Sequence, residues 1–202
     1  MSRYVIRAAD RFKNALVEHN LPGLRFLIEG FNYYDVSRVK DVGPDRAAAE
    51  WIVRCGGAVK FDKFNETFDD YNSLIRVLAE LDPAKPSDQV ILSLIDATNS
   101  SVSGYGCRHF AGLKGVQSVK YVGCKSLNDM ALEIMGKEVG GYLPFLQLER
   151  CPRITEYGIK HLEQYRGLKK LIIKDLKNVH KPDRSLDSLK NSLPNCDITF
   201  SC

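Results

Sequence analysis

An apolar pattern that recurs about every 26 residues constrains the fold of this chain more than any other feature of its 202 residues. Three copies place apolar or small residues at offsets 0, 3, 5 and 8, and a weaker copy precedes them. The four sets are Val90, Ser93, Ile95 and Thr98; Val116, Val119, Tyr121 and Cys124; Leu143, Leu146, Leu148 and Cys151; and Leu168, Leu171, Ile173 and Leu176. Apolar residues at alternate positions predict a short strand in each copy, and the constant period indicates a stack of repeated units.

The residues after each strand pattern indicate a turn and then a helix. Gly158, Ile159 and Leu162 follow Cys151 at helical spacing. The offsets match the cysteine-type leucine-rich pattern, in which each unit buries its apolar face only against its neighbours. We therefore predict an α/β leucine-rich-repeat solenoid of about four cysteine-type repeats. In this pattern Cys124 is a small buried turn residue, and thiol chemistry is the alternative interpretation.

A repeat array needs capping elements, and the segment before the first repeat can supply a helix. Gly43-Pro44-Asp45 favours a helix start, and Gly56-Gly57 favours its end. Between them one apolar face is formed by Ala47, Ala48, Trp51, Ile52 and Cys55. The last carbonyl groups of a helix carry partial negative charge, so Gly56 is either an ordinary helix cap or part of a cation site.

The chain divides into three predicted segments. Residues 1–35 form an amphipathic segment, 36–88 an N-terminal helical capping domain and 89–202 the leucine-rich-repeat domain, with the proline-containing stretch 82–88 as the boundary. A helix over 185–193 and a strand within 194–200 are predicted to close the array. In the first segment an arginine row opposite an apolar face indicates a mitochondrial transit peptide or, alternatively, a surface helix. Aromatic residues in 21–34 suit a membrane interface, a partner groove or packing on the chain itself.

Composition and motif searches exclude several classes of function. No apolar stretch is long enough to span a membrane, and no C-x-x-C pair or zinc-type spacing occurs among the six cysteines. The phosphate-binding loop and the hydrolase and metalloprotease motifs are missing from the sequence. Net charge is +4, and the basic stretch 166–190 is either a solvated face or a surface for an acidic protein or anionic lipid head groups, with nucleic acid less favoured. These residues indicate a non-enzymatic interaction module.

Two sequence blocks carry a family resemblance that covers roughly residues 36–200. The stretch 41–51, which reads DVGPDRAAAEW, and the stretch 95–100, which reads IDATNS, resemble coupling factor B of the mitochondrial ATP synthase, also called subunit s. The resemblance implies a matrix-side, peripheral inner-membrane protein that docks on the membrane sector of the synthase. It further implies a factor that supports proton conduction and limits proton leak. We expect the chain to be a monomer.

The same resemblance implies a Mg²⁺ site and raises a question about a thiol. The family binds one Mg²⁺ through residues that match Gly56 and Thr98. It also has a reactive C-x-C dithiol after the second repeat strand, where this chain has Val122-Gly123-Cys124. A dithiol mechanism is therefore excluded at this position, and Cys124 stays a candidate reactive single thiol.

Two alternatives to this interpretation stay open. Gly56–Phe61, Cys151–Ile154 and Leu193–Cys196 resemble equally well the distal membrane-arm assembly component 2 of respiratory complex I, which shares the architecture. On that interpretation the chain assembles the membrane arm of complex I. A cytosolic repeat adaptor, for instance in ubiquitin ligation, is the other alternative, although no F-box-like segment is recognisable.

Overall fold

The computed structural model describes residue 26 and residues 29–202, which form a mixed α/β structure. From residue 36 onwards the helices and strands follow one another in this order: α1 (Val36–Val42), α2 (Pro44–Arg54), β1 (Ala58–Phe61), α3 (Tyr71–Ala79), β2 (Leu92–Asp96), β3 (Ser118–Val122), α4 (Asp129–Val139), β4 (Phe145–Glu149), α5 (Glu156–His161), β5 (Lys170–Lys174), α6 (Pro182–Ser192) and β6 (Asp197–Ser201). Short 3₁₀ turns occupy Pro86–Asp88, Gly106–Phe110 and Leu162–Gln164. The predictions for residues 1–25, including the transit peptide, lie outside the described residues.

All six strands form one sheet in the order of the sequence. β1 pairs antiparallel with β2, and every following strand pairs parallel with the one before it. Alternate side chains of each strand enter a continuous apolar core with the helices, while the other face of the sheet stays partly exposed. Helix α2 packs on β1 and β2, and α6 packs on β6. Strand β1 is an element that the sequence analysis did not predict.

The strand register confirms three of the repeat copies and corrects the fourth. Val119, Leu146 and Leu171 lie side by side in adjacent strands, as their common offset predicts. The residue that pairs with Val119 in β2 is Ile95, not Ser93. The first copy is therefore displaced by two residues and consists of Leu92, Ile95, Ala97 and Ser100, which are all buried. Because strand side chains alternate with a period of two, a two-residue error keeps the predicted face but misplaces the turn.

The corrected register also explains the turn after each of four strands. Asn99, Gly123, Arg150 and Asp175 all have positive φ, between 49° and 69°. Each of them directly precedes the buried turn residue, which is Ser100, Cys124, Cys151 or Leu176. The backbone turns inward at the same point of every copy, and Cys124 and Cys151 occupy the buried position expected for them.

Helix α2 begins and ends where the sequence predicts. Pro44 is its first residue, and Gly43 has a φ of +85°. At its end the Gly57 N–H donates to the Ile52 carbonyl at 2.9 Å and the Gly56 N–H donates to the Val53 carbonyl at 3.0 Å. This pair of bonds is a Schellman cap, and Gly56 supplies its left-handed residue with a φ of +86°.

The end of the array also matches the prediction, since α6 and β6 follow the last repeat as a helix and a strand. At the other end, Phe26, Phe31 and Tyr33 are exposed by 81%, 41% and 62%, whereas the Tyr34 ring of the same aromatic segment packs edge-on against His109. In the described portion no helix combines the length and the apolar character needed to cross a membrane.

Candidate functional site

Gly56 and Thr98 lie at one end of the β1–β2 pair. Ala58 pairs with Asp96 in the antiparallel register, and two residues further along each segment stand Gly56 and Thr98. Gly57 packs tightly against the end of β2, because a Cβ atom there would lie 2.8 Å from the Asp96 carbonyl oxygen. The structure thus places the two sequence-predicted metal residues in the same region, between the end of α2 and the turn after β2.

Most carbonyl groups at the end of α2 are already used by the fold. The Ile52 and Val53 carbonyls accept the two cap hydrogen bonds, and the Cys55 carbonyl accepts from the Ser101 N–H at 2.9 Å and from its hydroxyl at 3.1 Å. The cap that the sequence analysis gave as one alternative is therefore confirmed. A cation at this end of α2 would draw on the Gly56 carbonyl.

Asp96 is a further residue of this site, and the sequence analysis missed its role. Its Oδ1 accepts hydrogen bonds from the Thr98 hydroxyl at 2.6 Å and from the Thr98 N–H at 3.1 Å. Its Oδ2 lies 3.8 Å from the ammonium group of Lys120. The Asp-x-Thr spacing is the signal that could have revealed it, since an aspartate side chain commonly binds the backbone two residues on.

These residues fit a Mg²⁺ ion that keeps most of its water. Gly56 and Thr98 are exposed, and Asp96 adds a carboxylate beside a hydroxyl and a carbonyl oxygen. Magnesium in proteins is often held by one or two carboxylates and several waters. The Lys120 charge opposes a cation here, and the described residues contain no group of three acidic, histidine or cysteine side chains that could hold one tightly.

Cys124 lies in the same turn layer but is enclosed. Its side chain is 0% exposed, and its thiol donates to the Ala97 carbonyl at 2.9 Å. A hydrogen bond with the Cys151 thiol, together with burial, raises the pKa of Cys124 well above its usual value. These contacts favour a packing role, because nucleophilic cysteines are accessible and have a lowered pKa.

A buried polar cluster beside the C-terminal end of α2 was not predicted. Asn32 is 0% exposed. Its Oδ1 accepts from the Trp51 indole N–H at 3.2 Å and from the Ser103 N–H at 2.9 Å, while its amide donates to the Ser101 carbonyl at 2.9 Å. Asn32 thus joins the segment before α1 to α2 and to the loop after β2.

His109 completes this cluster as a neutral side chain. Its ring stacks on Trp51 with 4.9 Å between ring centroids, and the Tyr34 ring meets it edge-on at the same distance. Desolvation lowers the pKa of His109 to about 4, although its Nδ1 lies 2.9 Å from the Gly106 carbonyl oxygen. At neutral pH the ring is uncharged and acts as part of the core.

Comparison with known proteins places the chain in a family. No protein-family model matches it. It is 34% identical over 170 residues to "ATP synthase subunit s, mitochondrial" of Bos taurus, which covers 83% of this chain and 81% of the relative. The proteins of the same name from Homo sapiens and Mus musculus are 33% and 32% identical, over 83% and 85% of this chain and 81% and 82% of the relatives. At these identities and coverages the chain belongs to the mitochondrial ATP synthase subunit s family.

Proposed function

We propose that the chain is a non-enzymatic coupling and regulatory factor of the mitochondrial ATP synthase, needed for proton conduction and for limiting proton leak. The observation that carries this proposal is the 34% identity over 83% of the chain to a relative named as a subunit of that enzyme. The relatives' name states the association with the synthase. We extend that association to this chain because it belongs to the same family. A non-catalytic role is consistent with the burial of four of the cysteines, Cys55, Cys107, Cys124 and Cys151, and with the neutral, core-packed His109.

The proposed location is the matrix side of the mitochondrial inner membrane, with peripheral attachment to the membrane sector of the synthase. Peripheral attachment is consistent with the finding that none of the described helices could span a membrane. The exposed rings of Phe26, Phe31 and Tyr33 offer apolar surface at one end of the molecule.

We further propose that β2 to β6 are the strands of a leucine-rich-repeat solenoid and that residues 36–88 form its N-terminal capping domain. The in-register parallel strands and the recurrent inward turn support this interpretation. The open face of the sheet carries Lys120, Gln147, Ile172 and Thr199 in one row across four strands, and it is the proposed docking surface. The basic stretch 166–190, which contains β5, would add positive charge to this surface.

For the magnesium site we propose that the Gly56 carbonyl and the Thr98 hydroxyl hold a hydrated Mg²⁺ with Asp96 as the nearby carboxylate. When bound, the ion would bridge the end of α2 and the turn after β2 and so fix the cap to the array. Titration calorimetry with MgCl₂ tests this directly. Thr98→Ala should abolish the binding heat, and Lys120→Ala should strengthen binding because it removes an opposing charge. Equal heats for wild type and Thr98→Ala would contradict the site.

Single-thiol reactivity at Cys124 stays a prediction with its own test. Iodoacetamide labelling of the native protein, followed by peptide mass spectrometry, compares Cys124 with the exposed Cys202. Selective modification of Cys124 with loss of coupling would support a functional thiol. Labelling at Cys202 while Cys124 stays protected would contradict it and leave Cys124 as a packing residue.

The experiment that tests the proposed function is depletion of the protein followed by native-gel separation of mitochondrial complexes. The proposal predicts that tagged protein migrates with the ATP synthase and that complex I stays assembled after depletion. Loss of the complex I membrane arm with an intact synthase would contradict it and favour the assembly-factor alternative. A cytosolic tag signal would instead support the cytosolic adaptor.

A further inference from the structure

The last strand of the sheet leaves one edge open in the described structure. β6 pairs with β5 on one side, and no described strand lies on its other side. The Asp197 N–H donates to Lys169, and the Ser201 carbonyl accepts from Asp175, so the odd-numbered residues of β6 face β5. In a parallel pair the alternate residues point the other way, so the N–H and C=O groups of Ile198 and Phe200 point to the open edge.

The apolar side of β6 is also incompletely buried. Leu171 and Ile173, which pair with Ile198 and Phe200 from the neighbouring strand, are 0% exposed. Ile198 and Phe200 pack against the same core but stay partly exposed. An additional strand on this edge would pair the outward backbone groups and cover these two side chains at once.

We propose that β6 pairs antiparallel with β6 of a second copy of this chain, with Thr199 opposite Thr199 across a twofold axis. Two five-residue strands overlap completely only in this register. It places Ile198 opposite Phe200 of the second copy, so that outward backbone groups meet and apolar side chains share one face. Asp197 lies opposite Ser201 of the second copy, so no like charges meet. This proposal differs from the monomer that the sequence analysis expects. The sequence alone does not show that one edge of the sheet is open.

The cysteines that flank β6 make this register testable. Cys196 and Cys202 lie three residues on either side of Thr199, so the proposed pairing sets Cys196 of one copy opposite Cys202 of the other. Within one chain these residues are separated by six strand positions, or about 20 Å. A disulfide requires Cα atoms within about 7 Å, so a Cys196–Cys202 disulfide can form only between two copies.

The test combines light scattering with oxidative trapping of the full chain. Size-exclusion chromatography with light scattering should give a mass that rises with concentration towards twice the 22.8 kDa of one chain. Oxidised glutathione, which takes two electrons and two protons from a thiol pair and leaves as two reduced molecules, should trap the dimer through Cys196–Cys202. Peptide mass spectrometry identifies the linkage. Cys202→Ser should remove the cross-link and leave the concentration-dependent mass unchanged.

Two edge variants separate loss of pairing from loss of folding. Ile198→Pro removes an outward N–H without removing a bond to β5, and Thr199→Lys places two charges face to face at the axis. Both should give the single-chain mass at every concentration, and Thr199→Ser should behave as wild type. A single-chain mass for the wild type at all concentrations would overturn the proposal. So would a trapped dimer in which Cys202–Cys202 linkages are as abundant as Cys196–Cys202, because that result indicates random collision.

Discussion

Strands β3 to β5 repeat one set of contacts, whereas the junction of α2, β1 and β2 is built from contacts that occur once. In the repeated region equivalent apolar residues stack at 0% exposure in neighbouring strands, as Tyr121, Leu148 and Ile173 do. In the junction a buried asparagine, a neutral histidine and a glycine cap hold the segment before α1, helix α2 and the first repeat together. The comparison teaches that buried apolar area and strand register stabilise the repeated region, whereas specific hydrogen bonds and ring contacts stabilise the junction.

The largest effect is expected in the repeated region. Leu148→Ala removes a fully buried side chain between Tyr121 and Ile173 and should lower the free energy of unfolding by about 2–5 kcal/mol. Urea unfolding measures it. Gln147→Ala, which changes the adjacent residue on the open face, is the control and should cost less than about 0.5 kcal/mol. Equal losses in the two variants would break the proposed division between a buried and an open face of the sheet.

Removal of the buried Asn32 side chain should destabilise the junction more than the repeated region. Asn32→Ala leaves the Trp51 indole N–H and the Ser103 N–H without their acceptor, at a cost of about 1–3 kcal/mol. Hydrogen exchange should increase in 29–35 and 101–104 ahead of β4 and β5. The exposed Asn191→Ala is the matched control. Uniform exchange over the whole chain would show that the junction and the array open together.

His109 predicts a pH dependence of the free energy of unfolding that arises in the junction. Because its folded pKa of about 4 lies below the ordinary value of 6.5, the unfolded chain binds more protons between these values. Stability should therefore fall as pH drops from 6.5 towards 4, by up to about 1.4 kcal/mol per pH unit. In His109→Phe, which keeps a ring on Trp51, urea unfolding at pH 7 and pH 5 should show a smaller difference. The exposed His180→Gln should keep the wild-type difference.

The smallest effects are expected at the recurrent turns. Gly123→Ala forces a side chain into a positive-φ position and towards the Asn99 side chain, and should cost about 1 kcal/mol. Asp175→Gly relieves the same conformation two repeats later and should stabilise by about 0.5 kcal/mol. Thermal unfolding compares the two. A change of the same sign in both variants would show that the turns are not equivalent.

The repeated region could be predicted from sequence because its residues recur. Leu143, Leu146, Leu148 and Cys151 identify a unit without any knowledge of its neighbours, and the Gly-Pro and Gly-Gly pairs bound α2. The first repeat was placed two residues too early because the pattern tolerates small polar residues. Ser93 and Thr98 therefore fit it as well as Ala97 and Ser100 do. Its correct register depends on hydrogen bonds to β3, which no local pattern encodes.

The junction could be predicted only in part. Gly56 was a candidate cation ligand from its place at a helix end, the family resemblance added Thr98, and the fold places the two residues in one region. Asn32 gave no signal, because a single asparagine in an aromatic run is read as exposed. The inward turns also escaped prediction, since Asn99, Arg150 and Asp175 adopt positive φ where glycine is the residue usually expected.

The most direct test of the proposed coupling role is respiration driven only by proton leak, measured in mitochondria depleted of this protein and then supplied with it again. Depletion should raise the leak, and wild-type protein should restore the low rate while Thr98→Ala restores less of it. Addition of oligomycin, which blocks the proton path of the synthase, should remove the extra leak. An unchanged leak after depletion, or a raised leak that wild-type protein does not reverse, would contradict the coupling function.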